Sequence, residues 1–191
     1  MQKAAPCLSL PPRNFRPAGE VLFAEFSPFP PPFIEDTEIR GVRGRRADGV
    51  RHEIKGQEWL VSAREHTYIP SPWFRFAPAG DATGRAARAT SCSDHWSWCQ
   101  PDGLDIHIRK GLILIDEFKL QHTSNAWWQT RKLYEPVVRA AFGSELWSFA
   151  IVEIVKWYDP DVAFPEHFTF IPDLSQAVAG GFHVHNWNGR R

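Results

Sequence analysis

Cysteine and long hydrophobic segments are both scarce in this sequence. Its three cysteines are widely scattered, which argues against a disulfide framework and favours a reducing, cytoplasmic setting. No apolar run approaches the ~18 residues that a membrane-spanning helix needs, and the first residues include no apolar stretch adequate for a secretory signal peptide. The sequence therefore predicts a protein without a membrane partner.

An excess of charge is also lacking, since 22 Lys and Arg residues balance 22 Asp and Glu residues. Any nucleic-acid binding must then come from local patches rather than from a basic field over the whole protein. Apolar residues are plentiful, at 43% of the 191 residues, and aromatic residues add up to 14%. Such a composition excludes a disordered chain and suffices for one domain with a sizeable core.

Proline divides the chain into two unequal parts. Eight of the sixteen prolines fall within residues 1–32, and a segment so rich in proline cannot form a regular helix. We therefore predict an extended Pro-rich arm over residues 1–35, with a short strand at Glu20–Phe26, followed by a single domain over residues 36–191.

Hydrophobic patterns predict helices and strands in alternation. The first helix is expected at Asp36–Glu65, with Val50, Ile54 and Leu60–Val61 buried. A second is expected at Asn125–Phe142, with Ser124 as its N-cap, Gly143 as its stop and a kink near Lys132 caused by Pro136. Strands are predicted at Tyr68–Ile69, Trp73–Phe76, His95–Cys99, Leu104–Arg109, Leu112–Lys119 and Leu146–Val155. This order predicts an α/β fold in which helices flank a central mixed sheet.

The end of the chain gives weaker patterns. A short helix is expected at Asp173–Ala179. The tail that follows contains His183 and His185, which we expect at the surface because they lie near the terminus.

The clearest local feature is a hairpin of Leu104–Arg109 and Leu112–Lys119. A two-residue turn at Lys110-Gly111 would place Asp102 opposite Lys119. Cross-strand partners share a face, as do residues two apart along a strand. Asp102, Glu117 and Lys119 should therefore point to one side, and Asp105 and Asp116 to the other. A three-residue turn would instead bring Asp105 to the first side.

Two carboxylates beside an ammonium suit a magnesium-dependent hydrolase. Mg²⁺ prefers carboxylate oxygens and keeps several waters, and Mn²⁺ can substitute for it. The cation neutralises charge on a phosphate and acidifies water, while a lysine beside it, its pKa depressed by the cation, can orient or deprotonate the attacking water. Glu117 and Lys119 end an apolar strand that should be buried, where unpaired charges are costly. An incidental surface Glu–Lys pair is therefore disfavoured.

The order of Pro101-Asp102, a hairpin and Glu117-Phe-Lys119 resembles the core motif of the PD-(D/E)xK nuclease superfamily, in particular its branch containing RecB and lambda exonuclease. The resemblance implies a restriction-endonuclease-like core and a Mg²⁺-dependent deoxyribonuclease, of a size that suits a phage protein. It adds Glu53 as a third acidic residue and Gln129 with Tyr134 as a Gln/Tyr pair. Four residues separate that pair, where the family more often has three.

The resemblance and the hairpin together define a predicted site. The catalytic residues are predicted to be Asp102, Glu117, Lys119, Glu53 and Gln129. The metal ligands are predicted to be Asp102, Glu117, Glu53 and the backbone carbonyl of Phe118. Contacts with DNA are predicted for Arg46, Arg51, His122, Ser124 and Tyr134, since local basic groups can bind phosphate. Two alternatives stay open, a non-catalytic nucleic-acid-binding or assembly module on the same fold and an unrelated α/β scaffold.

Overall fold

The computed structural model describes residues 15–27, 30–31, 43–64, 67–78, 96–159, 161 and 166–189. The strands are β1 (Val21–Ser27), β2 (Tyr68–Pro70), β3 (Trp73–Pro78), β4 (Ser97–Cys99), β5 (Gly103–His107), β6 (Leu112–Gln121), β7 (Ser148–Trp157), β8 (Thr169–Phe170) and β9 (Phe182–Asn186). The helices are α1 (Arg45–Arg64), α2 (Ser124–Gln129) and α3 (Glu135–Phe142), with a π-helical segment at Thr130–Tyr134 between α2 and α3. In these ranges no helix has the length and apolar character needed to cross a membrane.

The described strands form a six-stranded and a three-stranded sheet. The larger sheet has the order β2-β5-β6-β7-β9-β8. Its pairs β2–β5 and β5–β6 are antiparallel, whereas the pairs β6–β7, β7–β9 and β9–β8 are parallel. The smaller sheet, β1-β3-β4, is antiparallel. The coarse prediction of an α/β fold with a mixed sheet flanked by helices is confirmed. A strand lies at each predicted position, but β5 ends at His107 instead of Arg109 and β7 begins at Ser148 instead of Leu146. His95 of the predicted β4 lies outside the described residues.

Alternate residues of β6 separate two hydrophobic cores, one on each side of the larger sheet. Ile113 and Ile115 pack with Val137 and Val138 of α3. Leu112, Leu114 and Phe118 of the same strand pack on the other side, with Leu60 of α1. We call these two sides the α3 face and the α1 face. A strand buried on both faces needs an apolar residue at nearly every position, as β6 has.

Part of the Pro-rich segment is one strand of the smaller sheet. β1 matches the strand predicted at Glu20–Phe26 and pairs with β3. Just before it, the backbone N–H of Ala18 donates to the carbonyl of Lys132 at 2.8 Å. Residues 1–14, 28–29 and 32–35 of the predicted arm lie outside the described residues.

Helix α1 buries Ala47, His52, Gly56 and Leu60, whereas Val50, which was predicted to be buried, is half-buried. The prediction for Leu60 is confirmed, but Ile54 and Val61 are exposed, at 38% and 43%. The buried residues of the helix include Gly56, whose missing side chain leaves room for the ring of Phe118. A methyl group at Gly56 would lie 2.0 Å from that ring, so the helix approaches the sheet closely there. Residues 36–42 and residue 65 of the predicted helix lie outside the described residues.

The hairpin has a longer connection than predicted, and its register differs by two residues. A 3₁₀ turn at Ile108–Lys110 and a left-handed Gly111 connect the strands, so His107 pairs with Leu112. The last pair is Gly103 with Asp116, which places Asp102 beside Glu117 instead of Lys119. A shift of one residue would exchange the two faces, but a shift of two leaves every side chain on its predicted face.

The second predicted helix is interrupted where Pro136 was expected to kink it. Pro136 has no N–H to donate to the carbonyl of Lys132, four residues earlier. That carbonyl accepts the N–H of Ala18 instead, and residues Thr130–Tyr134 are π-helical. The helix begins at Ser124 with Thr123 as its N-cap, one residue earlier than predicted. It ends at Phe142 with Gly143 as its C-cap, as expected.

The two predictions for the end of the chain are wrong. Residues Leu174–Gln176 form a single 3₁₀ turn instead of a helix. His183 and His185 are buried in β9, because this strand pairs with β7 and is followed in the sheet by β8. A terminal segment that joins a sheet is buried like any inner strand.

Candidate active site

Three acidic side chains lie in a row across neighbouring strands on the α3 face. Glu117 of β6 and Glu153 of β7 are directly paired in the parallel register. Asp102, just before β5, lies on the other side of Glu117, because the β5–β6 register pairs Gly103 with Asp116 and so continues to Asp102 beside Glu117. Glu117 and Glu153 are both fully buried, at 0% exposure. We refer to Asp102, Glu117 and Glu153 as the carboxylate row.

Lys119 supplies a positive charge to this row. Its Nζ is in ion-pair contact with Oε1 of Glu117, and 29% of its side chain remains exposed. Burial alone would lower the pKa of Lys119, but the nearby carboxylates of Glu117 and Asp102 outweigh it and raise the pKa. The ammonium form is therefore favoured here, and the depressed pKa expected from the sequence requires a cation close by.

Asp102 is held against the end of β6. Its Oδ2 accepts the backbone N–H of Phe118 at 2.7 Å. Burial raises the pKa of Asp102, while Lys119 and the Phe118 hydrogen bond act in the opposite direction. The N–H and C=O of one strand residue point to the same edge, so the Phe118 carbonyl also faces the side of Asp102. This orientation agrees with the predicted use of that carbonyl as a ligand.

Helix α1 brings Glu53 to the same end of the sheet. Burial, followed by the charge of Asp102, raises the pKa of Glu53 to about 7, although Lys119 lowers it. Gln57, one helical turn later, lies 3.4 Å from Oε1 of Glu53 and donates to the carbonyl of Asp102 at 2.8 Å. The sequence analysis missed Gln57, whose spacing of four residues from Glu53 places both on one face of the helix.

Glu117 is fully buried, and the pKa of its carboxyl group is raised. Burial, followed by the charge of Asp102, raises its pKa to about 8, in spite of the ammonium of Lys119. Its Oε2 has no hydrogen-bond partner in the described part of the chain. A buried carboxylate oxygen without a partner is costly unless a proton or a cation neutralises it. The donor chemistry thus fits a hard divalent cation.

The side-chain arrangement is not that of a complete metal cage. In the part of the chain that the structure describes, no group of three or more His, Cys, Asp or Glu side chains is arranged to hold a metal ion. One oxygen of Glu117 is occupied by Lys119 and one of Asp102 by Phe118. A cation bound here would use the remaining oxygens, together with waters.

Glu153 and His122 form a buried pair that the sequence analysis did not foresee. Oε2 of Glu153 contacts Nδ1 of His122, and neither side chain has exposed surface. Burial raises the pKa of Glu153, and His122 acts in the opposite direction. The predicted contact of His122 with DNA phosphate disagrees with this burial. An isolated glutamate inside the apolar strand β7 was the available signal, the same one that identified Glu117.

The π-helical segment unites Gln129 and Tyr134. Gln129 Nε2 donates to the hydroxyl of Tyr134, although five positions normally separate residues in an α-helix by more than one turn. A π-helix brings residues i and i+5 together, so it absorbs the extra residue between them. Burial raises the pKa of Tyr134, and the charges of Glu117 and Asp102 add to this shift, which places the phenol near the carboxylate row.

The remaining predicted DNA contacts are on the surface or half-buried. Arg46 is exposed on the first turn of α1. Arg51 is 65% exposed and pairs with Asp48. Ser124 is half-buried as the first residue of α2. The structure thus groups Asp102, Glu117, Lys119 and Glu53, with Gln129 and Tyr134 adjacent, and leaves the two arginines outside this group.

Neither a family model, nor a curated protein, nor a solved structure matches the chain. The resemblance to PD-(D/E)xK nucleases therefore rests on the motif residues alone, and membership in that superfamily stays a prediction.

Proposed function

We propose that the protein is a divalent-metal-dependent nuclease that hydrolyses DNA phosphodiester bonds. The observation that carries this proposal is the buried Glu117, flanked by Asp102 and in contact with Lys119. Burying charged groups in a hydrophobic core reduces the stability of the fold, so such groups are expected to serve a purpose other than stability. Strongly shifted pKa values of this kind are typical of functional sites.

The donor groups favour Mg²⁺, for which Mn²⁺ can substitute. Asp102, Glu117 and the carbonyl of Phe118 would hold the cation, with Glu53 contacting it directly or through water. When bound, the cation supplies positive charge to the phosphate and acidifies a coordinated water. The unpartnered Oε2 of Glu117 supports this assignment.

The protein's own residues then have separate tasks. Lys119 orients the attacking water as an ammonium, and it can accept the proton of that water where a nearby cation depresses its pKa and leaves a neutral amine. Gln129 donates a hydrogen bond to the Tyr134 hydroxyl and so fixes the phenol beside the row. Tyr134 is assigned no contact with DNA, because its side chain is buried, at 4% exposure. Arg46, Arg51 and Ser124 contact the phosphate backbone outside the site. His122 is assigned no contact with DNA, because its ring is buried against Glu153.

The finer features of the fold and setting belong to the same proposal. The mixed sheet with α1 and α3 on opposite faces supports a restriction-endonuclease-like core over residues 36–191, preceded by a Pro-rich arm over residues 1–35. The scattered cysteines favour a cytoplasmic location, and Cys99 is free and buried.

A cleavage assay on linear, circular and branched DNA, with Mg²⁺, Mn²⁺ or EDTA, tests the function. We expect cleavage that requires the cation and is lost in Glu117→Gln. Lys110→Ala, at the exposed tip of the hairpin, is the control and should cleave like the wild type. Binding of DNA without cleavage in any metal would favour the non-catalytic module, and neither binding nor cleavage would favour an unrelated scaffold.

A further inference from the structure

Two fully buried carboxylates occupy paired positions on adjacent parallel strands, Glu117 on β6 and Glu153 on β7. We infer that Glu153 is a further ligand of the divalent cation and that His122 positions it. This inference rests on the proposed function for the identity of the ion. It extends the site from the β5–β6 hairpin to β7, a strand to which the sequence motif assigns no residue.

The first argument is the position of the unpartnered oxygens. Adjacent strands lie ~4.8 Å apart, and residues paired across them project to the same face. Oε2 of Glu117 and Oε1 of Glu153 both have no hydrogen-bond partner among the residues that the structure describes. Each carboxylate has its other oxygen occupied, by Lys119 in one case and by His122 in the other. The two free oxygens therefore belong to neighbouring groups on one face.

The second argument is the balance of charge. Ionisation of all three carboxylates of the row beside the one ammonium of Lys119 would leave two negative charges in a buried setting. Unbalanced charge is very costly there, and one divalent cation balances it. Mg²⁺ and Mn²⁺ commonly use one or two carboxylates and keep waters, so an oxygen from each glutamate suffices.

His122 acts on Glu153 and not on the cation. The imidazole contacts Oε2 of Glu153, and its ring lies edge-to-face with Phe182 at 6.2 Å. With the ring enclosed in this way, the rotation of the Glu153 carboxylate is restricted, and Oε1 remains for the ion. Groups that orient a ligand typically contribute 10–100-fold to metal affinity.

The test is Mn²⁺ binding by the full-length protein, measured from the electron paramagnetic resonance signal of the free ion. We expect Glu153→Gln to weaken Mn²⁺ binding at least ~10-fold. The matched control is Asp116→Asn, since Asp116 is equally buried on the same strand as Glu117 but faces α1; it should bind Mn²⁺ like the wild type. Glu153→Asp is the second variant in case Glu153→Gln does not fold. It retains the charge but shortens the side chain by one methylene, so it should also weaken Mn²⁺ binding.

Two His122 variants separate positioning from packing. His122→Phe removes the imidazole nitrogen and should weaken Mn²⁺ binding ~10-fold, whereas His122→Asn, which can place an amide near the position of Nδ1, should recover most of the affinity. Equal weakening by both would overturn the positioning role. Thermal unfolding with and without Mn²⁺ provides a second readout, since an ion that binds only the folded state raises Tm by more when its Kd is lower, with a logarithmic dependence on the ratio of ion concentration to Kd.

The outcomes distinguish this inference from the proposed function. Wild-type Mn²⁺ affinity in the folded Glu153 variants would overturn the inference, even if the wild-type protein cleaves DNA. Weakened binding in those variants without any DNA cleavage by the wild type would support the inference and overturn the nuclease. A wild-type protein that binds no Mn²⁺ would overturn both.

Discussion

Buried acidic side chains lie on both faces of the β5–β6 hairpin, but their surroundings differ. On the α1 face, Asp105 is met by positive and polar groups: Nε of Arg64 lies 3.4 Å away, Nε2 of His107 3.0 Å and Oγ1 of Thr67 3.3 Å. On the α3 face, Glu117 has one ammonium, that of Lys119, and two acidic neighbours. The first arrangement is locally neutralised, and the second retains excess negative charge.

This difference shows that burial of a carboxylate does not by itself identify a site. Asp105 and Glu117 are both 0% exposed and lie on adjacent strands. What distinguishes them is the supply of partners, because a carboxylate with local cations completes the fold while an under-compensated one can take a cation from solution. The α1 face also contains Asp116, whose two oxygens have no hydrogen-bond partner among the described residues and whose pKa is lowered by Arg64 less than burial and the two neighbouring aspartates raise it.

The largest expected effect contrasts Asp102 with Asp105. Asp102→Asn should leave no cation-dependent DNA cleavage above background, because it removes a predicted ligand of the metal. Asp105→Asn should perturb cleavage only slightly, since Asp105 faces α1. The two rates are measured with the same DNA and metal. The reverse order would show that the acidic residue of the site is on the other face.

Lys119 is expected to give the next largest effect. Positioned acid–base groups contribute about 10²–10⁴-fold to rates, so Lys119→Ala should reduce cleavage by a factor in that range. Its fold and its Mn²⁺ binding should survive, because Glu117 and Asp102 are unchanged. Circular dichroism and Mn²⁺ titration check these two points. Cleavage within a few-fold of the wild type would remove Lys119 from the catalytic residues.

The face of each hairpin residue was predictable from the sequence, although the length of the turn was not. Side chains alternate along a strand, and the true register differs from the predicted one by an even number of residues. Turn geometry depends on the left-handed Gly111 and the 3₁₀ turn before it, which the pattern of apolar residues does not encode. Asp102 and Glu117 were therefore assigned to the correct face through an incorrect turn.

Contacts between distant segments could not be predicted in the same way. Glu153 meets Glu117 because β7 lies parallel to β6 in one particular register, and no local pattern specifies a pairing 36 positions apart. The link between Ala18 and the carbonyl left free by Pro136 is of the same kind. The burial of His183 follows from sheet order, which the sequence alone left undetermined.

A smaller effect concerns the close approach of α1 to the sheet. Gly56→Ala would place a methyl group against the Phe118 ring, and such overpacking costs about 1–3 kcal/mol of unfolding free energy. Gly49→Ala in the same helix meets nothing within 4 Å, so it should stabilise the protein by ~0.5–1 kcal/mol. Urea denaturation measures both. Equal effects would mean that the helix does not rest on Phe118.

The smallest predicted effect is the pH dependence contributed by Asp116. Burial, followed by the charges of Asp105 and Asp102, holds its pKa well above the usual value. A carboxyl group that binds its proton more tightly in the folded state stabilises the fold fully below its unfolded pKa, and this stabilisation is lost as the pH rises toward the folded pKa. Asp116→Asn should therefore make the fall in unfolding free energy above about pH 4 shallower, by at most ~1.4 kcal/mol per pH unit for one proton.

Asp173 offers a control of opposite sign for this measurement. It is exposed, and its pKa is lowered because its carboxylate accepts the N–H of Ser175. The stabilisation that it contributes is present above its unfolded pKa and is lost as the pH falls through the lower folded pKa. Asp173→Asn should therefore alter stability at acidic pH and leave the slope between about pH 5 and 8 as in the wild type. If Asp116→Asn also left that slope unchanged, Asp116 would ionise as readily in the folded protein as in the unfolded chain, and burial on the α1 face would not hold its proton.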